Sequence, residues 1–194
     1  MTNWFDSLVQ IRLTNGEKGS GIFISPTEVL TAAHVVAATG VSSALGELVV
    51  DIRFQSRLAT ARRIGVLPAW IASRTTGSDV ALIGVDAEQE LGIRPLFGVP
   101  AAHASAMLEG HGFVAQTDAE QTLSGSVRSS PPTPEEPFLF SEDISPLPGM
   151  SGGPLLTSIN GAVRVAGILT QRAENHFVGL AMLESVIATL RAHL

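Results

Sequence analysis

The chain has 194 residues, 45% of them hydrophobic, and a formal net charge of −6, room for one ordinary domain or two small subdomains sharing a face. Charged residues make up only 15%, against the usual figure of about 25%, so the composition speaks for a large core and against disorder. The acidic balance and scattered arginines argue against a nucleic-acid partner, and with no cysteine, disulfides, thiolate metal sites and a cysteine nucleophile are excluded.

The start, Met1-Thr2-Asn3-Trp4-Phe5-Asp6, has neither a basic stretch nor an apolar stretch of the secretory kind. No apolar run approaches the ~18 residues of a membrane span. Both observations lead to the expectation of a cytoplasmic protein with no membrane partner. Ser7–Leu13 reads as a strand, Asn15-Gly16 as a tight turn, and Gly19–Ile24 as the returning strand. After Ser25-Pro26-Thr27 a strand resumes at Glu28–Thr31, and Ala32–Ala37 reads as a short helical turn. Further strands are expected at Leu48–Phe54, Ala59–Val66, Val80–Val85, Ala106–Gly110, Thr122–Val127, Phe138–Ser141, Gly153–Thr157, Ala162–Thr170 and Phe177–Ala181. Short runs separated by Gly, Pro, Asn and Asp indicate an all-β sandwich or barrel. Helical spacing is clear only near the end, where Leu183, Val186, Ile187 and Leu190 recur at i, i+3, i+4 and i+7, the mark of one amphipathic helix. The proline-rich Ser129–Pro137 reads as an extended loop. The strands divide near Phe97–His103 into two groups of about six. The expected organisation is a β-barrel over 1–98, a second over 99–181 and a helix over 182–194, with the barrels sharing a face because each is small.

Three stretches carry chemistry. In Pro146-Leu147-Pro148-Gly149-Met150-Ser151-Gly152-Gly153-Pro154, glycines free the backbone on both sides of one serine, so that N–H groups can converge beside a nucleophilic hydroxyl. His34 follows Thr31-Ala32-Ala33, whose small residues allow close packing at a strand end. Asp79 opens the apolar run Val80-Ala81-Leu82-Ile83, where an unpaired buried carboxylate would be costly. The expected arrangement is Ser151 Oγ hydrogen-bonded to one ring nitrogen of His34, with Asp79 accepting from the other.

Thr31-Ala32-Ala33-His34, Asp79-Val80-Ala81-Leu82 and Pro148-Gly149-Met150-Ser151-Gly152-Gly153-Pro154, in that order, resemble the chymotrypsin/trypsin-like serine proteases, nearest the disulfide-free bacterial Deg-type branch (protease domain only). Gly19-Ser20-Gly21-Ile22-Phe23-Ile24, Leu123-Ser124-Gly125-Ser126-Val127 and Val165-Ala166-Gly167-Ile168 resemble other strands of that family. The resemblance implies two six-stranded antiparallel β-barrels with a C-terminal helix, a serine endopeptidase working through a Ser151–His34–Asp79 triad and an acyl-enzyme, and an oxyanion hole made by the amides of Gly149 and Ser151. It implies no cofactor and no metal. The specificity pocket would be walled by Ser145, by Thr170, Gln171 and Arg172, and by Gly179. Ser145 stands where trypsin has an acid, so a basic preference is not implied and small or medium apolar residues are expected. Arg172 would narrow the pocket or attract an acidic side chain. Met150 replaces the aspartate that digestive relatives pair with a freed N-terminus, so activation by N-terminal cleavage is not expected. The implied partners are a polypeptide substrate and a regulatory protein or further domains.

Gly149-Met150-Ser151-Gly152-Gly153 also matches the α/β-hydrolase elbow. That triad needs an acid and then a histidine after the serine, and the short tail offers only Glu174, Glu184, His176 and His193. A rival from another class is a protease fold kept for binding or regulation, latent until a partner rearranges the oxyanion loop. Asp86 is the alternative acid. His103 and His111 fit no zinc spacing and read as surface-loop residues. His176 lies near the expected pocket, and Trp4, Phe5 and Trp70 read as packing anchors.

Overall fold

The computed structural model describes residues 7–13, 16–37, 49–52, 57–73, 78–85, 96–98, 107–126, 138–141, 143–173, 176–181 and 184–194. Among these the apolar runs form β1 (Leu8–Arg12), β2 (Lys18–Ser25), β3 (Glu28–Thr31), β4 (Val49–Ile52), β5 (Arg57–Val66) and β6 (Ala81–Val85). These are followed by β7 (Met107–Phe113), β8 (Glu120–Ser126), β9 (Phe138–Ser141), β10 (Pro154–Ile159), β11 (Ala162–Ala173) and β12 (His176–Ala181). The helices are α1 (Ala33–Ala37), α2 (Pro68–Ser73) and α3 (Glu184–Ala192). Between β10 and β11, Asn160 and Gly161 both take positive φ, 52° and 78°, as a two-residue hairpin turn requires.

The first six strands pair antiparallel in the order β1-β2-β3-β6-β5-β4. The sheet closes on itself because β4 returns to β1, with Val9 opposite Ile52 and Ile11 opposite Val50. Closure leaves no unpaired edge. The last six strands run β8-β7-β10-β11-β12-β9. Counted from its own first strand, this second sheet repeats every pairing of the first except one: β8 and β9 form no ladder among the described residues. There the Ser126 backbone N–H and hydroxyl both donate to Asp143 Oδ2, at 3.1 and 2.7 Å. The Asp143 carboxylate, two residues beyond β9, thus takes donors from the end of β8.

Alternation along β10 divides the core. Leu155 points into the second sheet with Leu108, Leu139, Ile144, Met150 and Leu169. Its neighbour Leu156 points the opposite way and joins the cluster of the first barrel, with Ile11, Ile22, Leu30 and Leu82. Period-two geometry puts consecutive side chains on opposite faces, so one strand serves both the core of its own barrel and the seam between the barrels. Val165 and Ile168 of β11 also join the first cluster.

Helix α3 follows the second sheet in sequence but packs on the first barrel. Ile187 and Leu190 are buried there, and a Cβ at Gly65 of β5 would stand 2.7 Å from the Leu190 carbonyl oxygen. Arg191 forks onto Glu28 of β3 through Nη2–Oε2 at 2.7 Å and Nε–Oε1 at 3.0 Å, and this hydrogen-bonded partner holds the Glu28 carboxyl below its ordinary range. Ile187 and Leu190 fall on the expected apolar face; Leu183 lies outside the described residues. No helix among the described residues is long and apolar enough to cross a membrane.

Two local expectations need correction. Helix α2 was not expected, although Pro68 at its first position supplies a pre-set φ; it buries Trp70 in the first core. Strand β7 continues to Phe113 instead of stopping at Gly110. Gly110 and Gly112 act here as close-approach positions: a Cβ at Gly112 would stand 2.8 Å from Met150 Cα. His111, expected on a surface loop, is therefore a buried strand residue, 1% exposed.

Candidate active site

Strand pairing brings His34 and Asp79 together. The β3–β6 register sets Thr31 opposite Ala81. His34, three residues beyond Thr31, and Asp79, two residues before Ala81, therefore meet at the same end of the ladder. The Asp79 carboxylate holds the histidine twice. Oδ1 accepts from the His34 backbone N–H at 2.8 Å, and Oδ2 lies 2.7 Å from ring Nδ1. Asp79 has a side-chain exposure of 6%, whereas the imidazole is 39% exposed. With the carboxylate ionised, Nδ1 carries the ring proton and donates, which leaves Nε2 as an acceptor. The two bonds also offset the cost of burying the carboxylate.

Ser151 reaches the same junction from the second sheet. Its carbonyl oxygen accepts from Ser20 N at 2.8 Å, Gly152 N donates to Leu169 O at 2.7 Å, and Leu169 N donates to Gly153 O at 2.8 Å. Gly152 has φ +83°, and a Cβ there would collide with Thr31 Oγ1 and Ser20 O and stand 2.8 Å from Ala32 N. The residue after Ser151 is thus pressed onto the segment that leads into His34, which only glycine permits. The described residues show no hydrogen bond between Ser151 Oγ and the His34 ring, in contrast to the expected direct bond; such bonds are often long before substrate binds.

The loop before the serine is held from behind. Gly149 has φ +96°. Ala115 N donates to Pro148 O at 2.8 Å, and Gly153 N donates to Met150 O at 3.0 Å. Across a trans peptide the N–H points opposite to the C=O. The amides of Gly149 and Ser151 therefore face away from those two donors, and neither is bonded to a protein acceptor among the described residues. Met150 is fully buried in the second core, with Leu147 N 3.4 Å from its sulfur. An apolar anchor occupies the place where digestive relatives use an ion pair.

Sequence reasoning missed Ser20. Its hydroxyl donates to Gly149 O at 2.8 Å and accepts from Phe113 N at 2.8 Å, while its carbonyl accepts from Thr31 Oγ1 at 2.7 Å. With its N–H on Ser151 O, this one residue ties β2, β3, β7 and the serine loop together. The signal was present as Gly19-Ser20-Gly21, a hydroxyl between two glycines that permit close approach. A Cβ at Gly21 would stand 2.9 Å from Leu30 O.

The expected pocket residues fall on three segments: the stretch between β9 and β10, β11 and β12. Ser145 is exposed between β9 and β10. Thr170 is 5% exposed and sits at a register shift between Leu169 and Gln171, the kind of bulge found beside active sites. Gln171 pairs with Val178, Arg172 with Phe177, and Gly179 with Leu169 on one side and Leu139 on the other. His176 begins β12 opposite Ala173. Trp4, Phe5, Asp86, His103 and the loop Ser129–Pro137 lie outside the described residues. Among the described residues no three metal-ligating side chains cluster.

A family model described as a trypsin-like peptidase domain matches residues 19–168. No curated protein matches the sequence. Among solved structures, a Glu endopeptidase in complex with MPD superposes with a TM-score of 0.80 at 17% identity, covering 97% of this chain and 90% of that one. The inactive form of the Rv3671c protease of M. tuberculosis superposes at 0.67 with 21% identity, over 97% and 89%. The thermostable serine protease AL20 from an extremophilic microorganism gives 0.73 with 13% identity, over 97% and 98%. At these identities the superpositions speak for the fold, which is chymotrypsin-like.

Proposed function

The chain belongs to the trypsin-like peptidase family and is a serine peptidase; from that premise we propose that it is an endopeptidase acting through Ser151, His34 and Asp79. The observation that carries the reading is the two-armed grip of Asp79 on the His34 backbone and ring. A carboxylate placed so fixes both the position of the imidazole and its tautomer, leaving Nε2 ready to receive a proton. A histidine packed for structure alone has no need of either.

In this mechanism Ser151 Oγ attacks the substrate carbonyl carbon while His34 Nε2 takes the hydroxyl proton, and Asp79 stabilises the imidazolium that results. The carbonyl π electrons move onto oxygen, and the Gly149 and Ser151 N–H groups receive that oxyanion. Their support is the backward-held loop, in which Pro148 O and Met150 O are already engaged. Each such donor is typically worth on the order of 10²–10³ in rate. Collapse of the tetrahedral species breaks the C–N bond, and His34 gives its proton to the leaving amine. Water, deprotonated by His34, then releases the acyl group and restores Ser151. Ser145, Thr170, Gln171, Arg172 and Gly179 are proposed to wall the pocket for the residue before the cut bond.

Ser151→Ala is expected to lower casein hydrolysis by on the order of 10⁴–10⁶ and to leave the thermal midpoint unchanged; wild-type turnover in this variant would refute the reading. A second reading, a latent fold switched on by a partner, draws on one observation, the absent Ser151–His34 hydrogen bond. Labelling of the isolated chain by a fluorophosphonate supports the active enzyme, and labelling only after a partner is added supports the latent one.

A further inference from the structure

The turn that joins β7 to β8 is fastened to the first barrel by a charged cluster remote in sequence. Asp118 sits at its tip with φ 54°, a left-handed conformation that costs most residues but is tolerated by Asp. Its N–H closes the turn onto Val114 O at 2.8 Å. Three side chains of β1 and β2 converge on its carboxylate. Lys18 Nζ lies 2.6 Å from Oδ1, Gln10 Nε2 2.9 Å from Oδ1, and Arg12 Nη2 3.4 Å from Oδ2. Arg12 Nε also donates to Gln10 Oε1 at 2.7 Å, which orients the amide so that its NH₂ faces Asp118. Lys18 makes a second bond, to the carbonyl of Ala115 at 3.0 Å.

Ala115 is the residue whose N–H holds Pro148 O. Its two backbone polar groups thus connect Lys18 on one side with the peptide before Gly149 on the other. Were the turn to swing away from β2, that peptide would lose the donor that keeps its carbonyl turned back and its N–H turned forward. A glycine at position 118 would serve the turn conformation with less strain. The aspartate adds only the carboxylate, and the carboxylate adds only the tie to the first barrel.

We infer that Asp118 and Lys18 form a positioning latch that sets the Pro148–Gly149 peptide for oxyanion binding, coupling the first barrel to catalysis at the second. This rests on the proposed role of Ser151 and the Gly149 amide. Neither latch residue touches substrate; both act through Ala115. Because the Lys18–Asp118 and Arg12–Asp118 pairs are open to solvent, salt screens them, and they add little to stability. The latch therefore shows itself in turnover.

The test uses the full chain in four variants: Asp118→Gly, which keeps the turn conformation, Lys18→Met, the double variant, and Ser151→Ala. Turnover of p-nitrophenyl acetate and of fluorescein-labelled casein is measured at low and high salt, with thermal melting in parallel. Each latch variant is expected to lose about tenfold in kcat, short of the ~10²–10³ that outright loss of an oxyanion donor costs, with KM and melting temperature near wild type. The double variant is expected to be no worse than either single one, the sign of a shared interaction. High salt should slow the wild type and leave the variants unaffected. If Ser151→Ala is inactive while Asp118→Gly keeps wild-type kcat, or if the two single losses multiply, the latch is overturned and the catalytic reading stands. If Ser151→Ala retains wild-type activity, the catalytic reading falls and the latch falls with it.

Discussion

The two sheets share a pairing scheme and differ in how they are finished. The first closes through β1 and β4 and carries His34 and Asp79 at the end of one ladder, where the β3–β6 register alone brings them together. The second lacks the β8–β9 ladder among the described residues and carries Ser151 on a loop. That loop is held by Met150 in its own core and by Ser20 of the other barrel, with Lys18 reaching it through Ala115. His34 and Asp79, the proposed base and acid, sit on a closed sheet. Ser151, the proposed nucleophile, sits where geometry depends on ties across the seam.

The largest break of this comparison is on the side of the closed sheet. Asp79→Asn removes the charge that fixes the His34 tautomer and is expected to lower kcat on the order of 10⁴-fold, read by steady-state kinetics on casein. A residual rate within tenfold of wild type would show that the ring is oriented by something else. Next come core truncations of similar size in the two sheets. Leu82→Ala and Met150→Ala should each cost about 2–5 kcal/mol in urea unfolding, since both side chains are fully buried. Only Met150→Ala should also lower kcat at temperatures where both variants stay folded, because only Met150 shapes the loop before Ser151. Equal kcat in the two variants would remove the distinction.

The last effect concerns acid. His111 on β7 accepts or donates a hydrogen bond with Thr122 Oγ1 at 2.9 Å, and burial lowers its pKa from 6.5 to about 4. Glu109 lies 3.5 Å from Nε2 but is 57% exposed, so its pull toward the charged form is screened and burial dominates. Below pH 6.5 the unfolded chain binds a proton that the folded chain refuses. Stability is then expected to be full above pH 6.5 and to fall as pH drops toward 4, by up to about 3 kcal/mol. His111→Gln should flatten that part of the profile in urea titrations between pH 4 and 7. An unchanged slope would assign the acid sensitivity to other groups.

Much of this was legible in order along the chain. Short apolar runs punctuated by turns marked the strands, and His34, Asp79 and Ser151 were visible through the small residues around them. What escaped depended on partners far away in sequence. Ser20 matters because Phe113 and Gly149 come to it, and nothing near position 20 names them. Gly110 and Gly112 look like strand breakers until Leu155, Leu169 and Met150 fill the space a side chain would need, and so β7 was read short and His111 misplaced. Nothing near Asp118 in the sequence marks it, because its partners Gln10, Arg12 and Lys18 lie about a hundred positions earlier.

Helix α3, lying across β5 and β3, has a consequence for how the protein is made. During synthesis the six strands of the first barrel emerge well before the helix that covers Gly65 and reaches Glu28. A nascent first barrel must keep that apolar strip uncovered while the whole second sheet is translated, although domains otherwise tend to settle in order from the N-terminal side. Completion of the half that carries His34 thus waits for the half that carries Ser151 to be built.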